Sequence, residues 1–572
     1  MASREVQGVI VTNQARCRDC YRCVRVCPVK AIRVEHNQAS VDASRCLNCG
    51  TCVRECPQGA KSYRRDRQKV EELLRTRAFT ALSLAPAFAG AFEPWEYLRL
   101  PAALRQLGFS YVAETAVGAH WVAQATAEAM AAPDAPRGRI CTACPASVAY
   151  VEMYRPDLVG GLLSLVSPMT AHARHVKAMH GPEAAFVFVG PCTAKKAEAS
   201  RPEVAPWVDA VLTFEELLEW LADAGLDLSR VEESAFDELP GPGARLFPVE
   251  GGQLAAAALA SGAGDARHLQ VSGFGAVKEA FACASGEGAP LLIEPLMCPQ
   301  GCINGPGLGR EGNVYRRRQR VISYARGRGT NPASVCGADI AADYRARPLP
   351  KGPSVTENDI RLVLEQTGRA RPENQLNCGA CGYASCRDQA EAVLLGMAER
   401  EMCIPYMRRL AEQRSNRIME TSPNAIVVLD RGLNVHDANP AFEKLFRVQG
   451  PLGLPISHFI DPEPFERLAS GQTEMVDGPC PGENAPNARL IAYPLSNEER
   501  YVAIFVSQGD PTEDARRLRR LKQETVVQAQ ELNTQQVEMA RQMAVFLGEH
   551  TAKAERLVAR LIEAVKSDAP GA

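Results

Sequence analysis

The chain has 572 residues, 46% of them hydrophobic and 23% charged, with a formal net charge of −2. That length supports about three to five domains, and the balanced charge supplies no global field for nucleic acid or an anionic membrane. No apolar run reaches the roughly 20 residues of a spanning helix, and the opening "MASREVQGVI" lacks the apolar core of a secretory leader. A cytoplasmic protein with no membrane and no nucleic-acid partner is expected. Its 20 cysteines fall in clusters at short spacing, a pattern that points to metal rather than to disulfides.

Residues 17–28 read "CRDCYRCVRVCP" and residues 46–57 read "CLNCGTCVRECP". Each is C-x2-C-x2-C-x3-C-P, and soft thiolates in this pattern suit iron–sulfur clusters. The first three cysteines of such a run hold one cluster and the fourth crosses to the other. Cys17, Cys20, Cys23 and Cys56 would bind one 4Fe-4S cluster; Cys46, Cys49, Cys52 and Cys27 would bind the second. Residues 1–66 resemble a bacterial two-cluster ferredoxin, which implies one-electron transfer.

Residues 67–330 read as a mixed α/β unit. "FTALSLAPAF" (79–88) and "AAFVFVGPC" (184–192) predict buried strands, and "LPAALRQLGF" (100–109) and "TFEELLEWLADAG" (213–225) predict helices. Three cysteine motifs follow in order: "ICTACPASVAY" (140–150), "VGPCTAKKAEA" (189–199) and "IEPLMCPQGCINGPG" (293–307). The CxxC of the first is open, on its own, to a redox pair, half a zinc site or one corner of a larger centre. Glycines in the third let backbone approach an inorganic cluster.

Together the three motifs resemble the active-site segments of the iron-only (FeFe) hydrogenases, TSCCP, PCxxKxxE and ExxxCxxGCxxG. Cys192, Lys195 and Glu198 match the second; Glu294, Cys298, Gly301, Cys302 and Gly305 match the third. The resemblance implies an H-cluster, a 4Fe-4S cube joined to a diiron site bearing carbonyl and cyanide. By motif position Cys144, Cys192, Cys298 and Cys302 would hold the cube, with Cys302 bridging to the diiron site. Lys195 would donate a hydrogen bond to a cyanide, while Glu198 and Glu294 read as supporting structure.

The chain departs from the family where it matters for protons. Ala143 stands where the family writes a cysteine that passes the proton in catalytic members. Gly190 replaces the usual methionine, and "VAQATAEAM" (122–130) offers only Glu128 for the relay carboxylates. Cys141 reads as a core residue rather than a substitute.

Residues 331–355 are expected as a linker, and "YRRRQR" (315–320) as a solvated face. Within 356–410, Cys378, Cys381, Cys386 and Cys403 are spaced C-x2-C-x4-C-x16-C, with a helix spanning most of the last gap. They resemble the 4Fe-4S domains of electron-transfer complexes and corrinoid-linked proteins; zinc is the competing reading. "RIMETSPNAIVVLDRGLNVHDANPAFEKLF" (417–446) resembles the opening of a PAS domain, placed at 411–510, with later strands in 489–495 and 501–508. His436 and His458 read as surface residues, so no PAS ligand is assigned. Residues 511–572 show a polar helical pattern suited to dimerisation or signalling.

The expected fold is therefore multidomain, α/β and α+β. The expected function is a hydrogen or redox sensor of the sensory PAS-containing hydrogenase type, with hydrogen and protons at the H-cluster. It would act with a redox partner protein and a signalling partner (kinase or phosphatase), as a homodimer. A slow catalytic hydrogenase and a non-catalytic iron–sulfur scaffold are the alternatives.

Overall fold

A computed structural model describes residues 8–131, 138–261, 268–284, 292–309, 312–331, 336–350, 352–481, 488–495 and 500–507. The helix expected beyond residue 511 lies outside them. The chain divides into two compact units between Arg408 and Arg409. Among the described residues no helix is long and apolar enough to cross a membrane.

The first unit opens with an internally repeated module. Two short helices, Arg22–Val26 and Thr51–Glu55, each carry the third cysteine of a motif. Two antiparallel strand pairs flank them, Ile10–Thr12 with Lys61–Tyr63 and Ile32–Glu35 with Gln38–Val41. The second pair turns at His36 and Asn37, both at positive φ (51° and 58°), as a tight hairpin of right-handed twist demands.

The large domain is built on a four-stranded parallel sheet in the order Tyr111–Glu114, Thr80–Leu84, Ala185–Gly190, Ala210–Thr213. Every residue of these strands is buried, as parallel strands covered on both faces require. The helix Phe214–Asp223 is capped reciprocally by Thr213 and Glu216. A second parallel sheet joins His268–Ser272, Leu292–Leu296 and Arg139–Ile140.

Two local expectations need correction. The helix Val314–Gly327 does not present "YRRRQR" as a uniformly solvated face: Arg317 is buried, because Gly90 leaves room for its Cβ at 3.1 Å. In the 378–403 region the helix runs only over Cys386–Leu394. Gly396 at φ 66° then turns the chain back toward Cys403.

The segment 336–350 packs along the large domain. Val166 N–H donates to the Ile340 carbonyl (2.9 Å) and Ala342 N–H to that of Ser164 (3.0 Å). The Tyr344 hydroxyl donates to the Leu165 carbonyl (2.8 Å), and Arg347 reaches the buried Glu152 (2.5 Å).

The second unit is a five-stranded antiparallel sheet, ordered Val435–Ala438, Ala425–Leu429, Arg500–Ser507, Ala488–Leu495, Val476–Pro479. Phe442, Phe465 and Phe505 fill its core, and His436 and His458 are exposed. Asn439 ties the entry segment to the first strand. Its side-chain oxygen accepts Ile426 N–H (2.8 Å) and Phe442 N–H (3.0 Å), and its amide donates to the Met419 and Asn424 carbonyls. Asn439→Ala strands these buried groups, so it should destabilise this unit by about 2–3 kcal/mol. The loss is read as reduced amide-exchange protection in strands 488–495 and 500–507.

Candidate metal centre

All three motifs of the large domain leave the carboxyl ends of parallel strands, where open α/β sheets place their sites. Ile140 ends the strand before Cys144, Ala185–Gly190 delivers Cys192, and Leu292–Leu296 delivers Cys298. Cys144 and Cys192 then stand at the N-caps of Pro145–Tyr154 and Thr193–Glu198. Gly301, at φ 90°, lets Cys302 turn inward: a Cβ there would lie 2.4 Å from the Pro248 carbonyl oxygen.

The four thiols act on one another electrostatically. Burial, then the Cys144 thiol, pushes Cys192 up to about 12. Burial, then Cys192 and Cys144, raises Cys302. Cys298 is raised by burial and then by the other three. Four soft donors in one low-dielectric pocket resist ionisation alone and favour it strongly once iron is present. Among the described residues no group of Cys, His, Asp or Glu is arranged for a single metal ion. The fit to a polynuclear centre rests on the fourfold thiol sets.

Lys195 lies beside this quartet. Its ammonium donates to Glu198 Oε2 (2.7 Å) and to the Ala143 carbonyl (3.5 Å). Glu198 in turn accepts from Ser167 (2.5 Å) and Thr170 (3.3 Å), which fixes the lysine's anchor. Glu198 also lines a cavity of about 300 Å³ together with Cys46, Asn48, Pro145, Ala194 and Arg201. Glu294 accepts the Gln253 and Leu254 N–H groups (3.2 and 2.9 Å) at the start of a helix. Its burial raises its carboxyl to about 7.

The N-terminal module repeats the same logic. Burial raises Cys23, with Cys20, Cys17 and Cys56 adding to it, and raises Cys52, with Cys49, Cys46 and Cys27 adding to it. Each crossing thiol accepts the N–H four residues on: Ala31 to Cys27 (3.2 Å) and Ala60 to Cys56 (3.3 Å). Lys61, buried and bonded to Thr12 and Ala39, lends positive charge to both sets. No spacing signal marked it. Thr193, next to Cys192, donates to the Asn48 carbonyl (2.7 Å), and Arg54 donates to that of Asn304 (3.1 Å). The Cys46 set and the Cys192 set thus share a direct contact. In the third region Cys381 feels Cys403 and Cys378, and Cys386 is buried.

Residues 78–306 match the model "Iron only hydrogenase large subunit, C-terminal domain". The chain carries an iron-only-hydrogenase-like domain. Residues 9–57 match a 4Fe-4S dicluster domain, 374–405 an Fe-S cluster family and 413–476 a PAS domain. Iron–sulfur cofactors follow from these domains. The chain is 30% identical to Iron hydrogenase 1 of Clostridium pasteurianum over 254 residues, 36% of this chain and 44% of that one. A shorter stretch, 88 residues, is 34% identical to the cytosolic Fe-S cluster assembly factor NAR1 of Kluyveromyces lactis, covering 15% of this chain and 19% of that one. A solved FeFe-hydrogenase HydA1 variant from Chlamydomonas reinhardtii covers 50% of this chain and 99% of its own at 18% identity, with a TM-score of 0.39. The matches span less than two thirds of the length of these curated relatives.

Within the hydrogenase-like domain the structure places the departures from the motif. Ala143 is partly buried and its carbonyl faces the Lys195 ammonium. Cys141 is 1% exposed and packs with Leu163, Leu254 and Leu292, so it is a core residue as expected. Glu128 is exposed on its helix, whereas the inward Thr126 bonds Gln253 (3.1 Å). At Gly190 the space for a side chain is taken by Phe188, whose ring atoms would lie 2.6 Å from a Cβ. Gly190→Met should therefore cost about 1–3 kcal/mol through overpacking, and adding Phe188→Ala should recover part of it. Thermal unfolding followed by tryptophan fluorescence checks this; an unchanged single variant would mean the ring yields freely.

Proposed function

We propose that the chain is a hydrogen or redox sensor built on an H-cluster, passing its signal through iron–sulfur centres to the PAS domain and a partner. One observation carries the reading: the residue beside the Lys195 ammonium is Ala143, whose methyl group holds no proton.

In this reading Cys144, Cys192, Cys298 and Cys302 would hold the group, with Cys302 the ligand shared between its two parts. When bound, that group supplies reversible hydrogen splitting and takes up the electrons. Lys195, anchored by Glu198, presents a fixed positive charge and a donor to a cyanide. Ser167 and Thr170 keep Glu198 in place. The chain provides no acid–base side chain at position 143, and Glu128 is exposed on its helix. Loss of a positioned proton donor lowers a rate by about 10²–10⁴, so with the group bound, alanine at position 143 would keep turnover slow and favour sensing. The contacts Thr193–Asn48 and Arg54–Asn304 support electron passage to the Cys46 set. The redox partner protein, a kinase or phosphatase as output, and homodimerisation belong to the same proposal.

A second reading is favoured by the similarity to the NAR1 assembly factor: an iron–sulfur scaffold without a diiron site. Infrared spectroscopy separates the two. Chain matured with hydrogenase accessory enzymes should show carbonyl and cyanide bands; iron-replete protein lacking them would establish the scaffold.

A third reading, a hydrogenase in its own right, is tested by Ala143→Cys. At equal iron loading and equal infrared bands, hydrogen uptake with a reducible dye should rise by up to about 10²-fold in the variant. Wild-type turnover already on the order of 10²–10³ per second would contradict the sensor reading.

A further inference from the structure

The 378–403 region is docked against the N-terminal module through one concentrated face. Gly382, at φ 94°, lies flush on the helix Arg22–Val26: a Cβ there would meet Val24 at 2.8 Å and the Arg25 nitrogen at 3.1 Å. Arg25 donates to the carbonyl of Ala380 (3.0 Å), the residue before Cys381, and to that of Cys20 (3.0 Å). On the other side the hairpin N–H groups of His36 and Asn37 both donate to Glu399 (2.6 and 3.3 Å), and Val34 N–H donates to the Met397 carbonyl (3.1 Å). These bonds hold the two cysteine-bearing regions in one register.

Between them sit a cation and an orphaned donor. The Lys30 ammonium closes the end of the helix Arg22–Val26 on the carbonyls of Val24 (2.9 Å) and Arg25 (3.2 Å). Its charge is felt from the Cys27 side and from the Cys381 side, with Asp388 the next group in reach. Tyr383 is buried and packs in one core cluster with Cys381, Cys27 and Val24. Its hydroxyl has no hydrogen-bond partner among the described residues. A buried hydroxyl without an acceptor is costly, and a sulfur of an adjacent cluster is an acceptor it lacks otherwise.

We propose that Lys30 is a positioning residue for electron transfer, holding positive charge between the Cys27-containing cluster and the 378–403 cluster so that the reduced state of each is favoured. Tyr383 assists by donating its hydroxyl hydrogen at the same junction. This rests on the reading that both cysteine sets hold 4Fe-4S clusters. The step moves one electron: the ferredoxin-type cluster is oxidised, the 378–403 cluster is reduced, and no bond is made or broken. A nearby cation favours the more negative, reduced state, so its removal lowers that cluster's midpoint potential.

The test is a dithionite titration of the full chain followed by electron paramagnetic resonance, after matching iron and sulfide content. The signal abolished by Cys386→Ser belongs to the 378–403 cluster. Lys30→Met should lower its midpoint by about 59 mV, a tenfold loss in electron share for a one-electron couple. Lys30→Arg, which keeps the charge, should stay close to wild type. An unmoved midpoint in Lys30→Met, or an equal drop in Lys30→Arg, overturns the assignment. Tyr383→Phe, which removes one hydroxyl only, should lower the same midpoint even if Lys30→Met fails to fold; an unmoved value there also overturns it. Dithionite replaces hydrogen as reductant, so these outcomes are independent of the diiron site. Iron-replete protein with no Cys386-dependent signal would instead remove the reading on which the proposal rests.

Discussion

A buried thiol ionises only when positive charge meets it, and this fold buries thiols in sets. Burial is the first cause raising Cys23, Cys46, Cys192 and Cys381 alike, and the surrounding architecture answers that constraint. Backbone N–H groups point at Cys27, Cys46 and Cys56. Lys61, Lys30 and Lys195 stand as point charges beside these sets. The parallel strands, buried on both faces, deliver three cysteine loops to one end of the sheets. The polypeptide thus supplies donors and compensating dipoles, and iron supplies the charge that makes the arrangement stable.

Much of this was legible in the sequence because cysteine spacing is local. Both N-terminal sets, the strand and helix predictions at 80–84, 185–190 and 214–223, and the second unit's sheet all follow from periodicity and motif. Ala143 was legible only against a family pattern; by itself it is an ordinary alanine. Cys141 could be set aside because it lies two residues from position 143, and its packing with Leu163 and Leu254 shows the core role expected of it. The contacts between modules were not legible. Nothing near Glu399 announces that it caps the His36–Asn37 turn, and nothing in a Pro- and Arg-rich stretch announces that Tyr344 and Arg347 bind the large domain. Those contacts join residues far apart in the chain, and pattern within a segment carries no information about them. The filling of Gly190 by Phe188 belongs to the same class, since it depends on a rotamer rather than on residue type.

The helix Ile404–Thr421 begins directly after Cys403, and the first strand of the PAS sheet begins at Ala425. The last thiol of the third set is therefore joined to the PAS sheet by one helix and a short turn, with Asn439 binding the Met419 carbonyl at its far end. A change of charge near Cys403 has a short covalent route to the second unit. For a ligand to shift that unit it must interact differently with two of its states, and the sensor account places that difference in the redox state of the clusters.

Hydrogen–deuterium exchange of the intact, matured chain tests this directly, comparing samples under hydrogen with samples under oxidant. The account predicts different protection in the helix 404–421 and in the strands 425–429, 435–438, 488–495 and 500–507. Identical protection maps across these residues, in protein whose clusters are shown to change oxidation state, would contradict it.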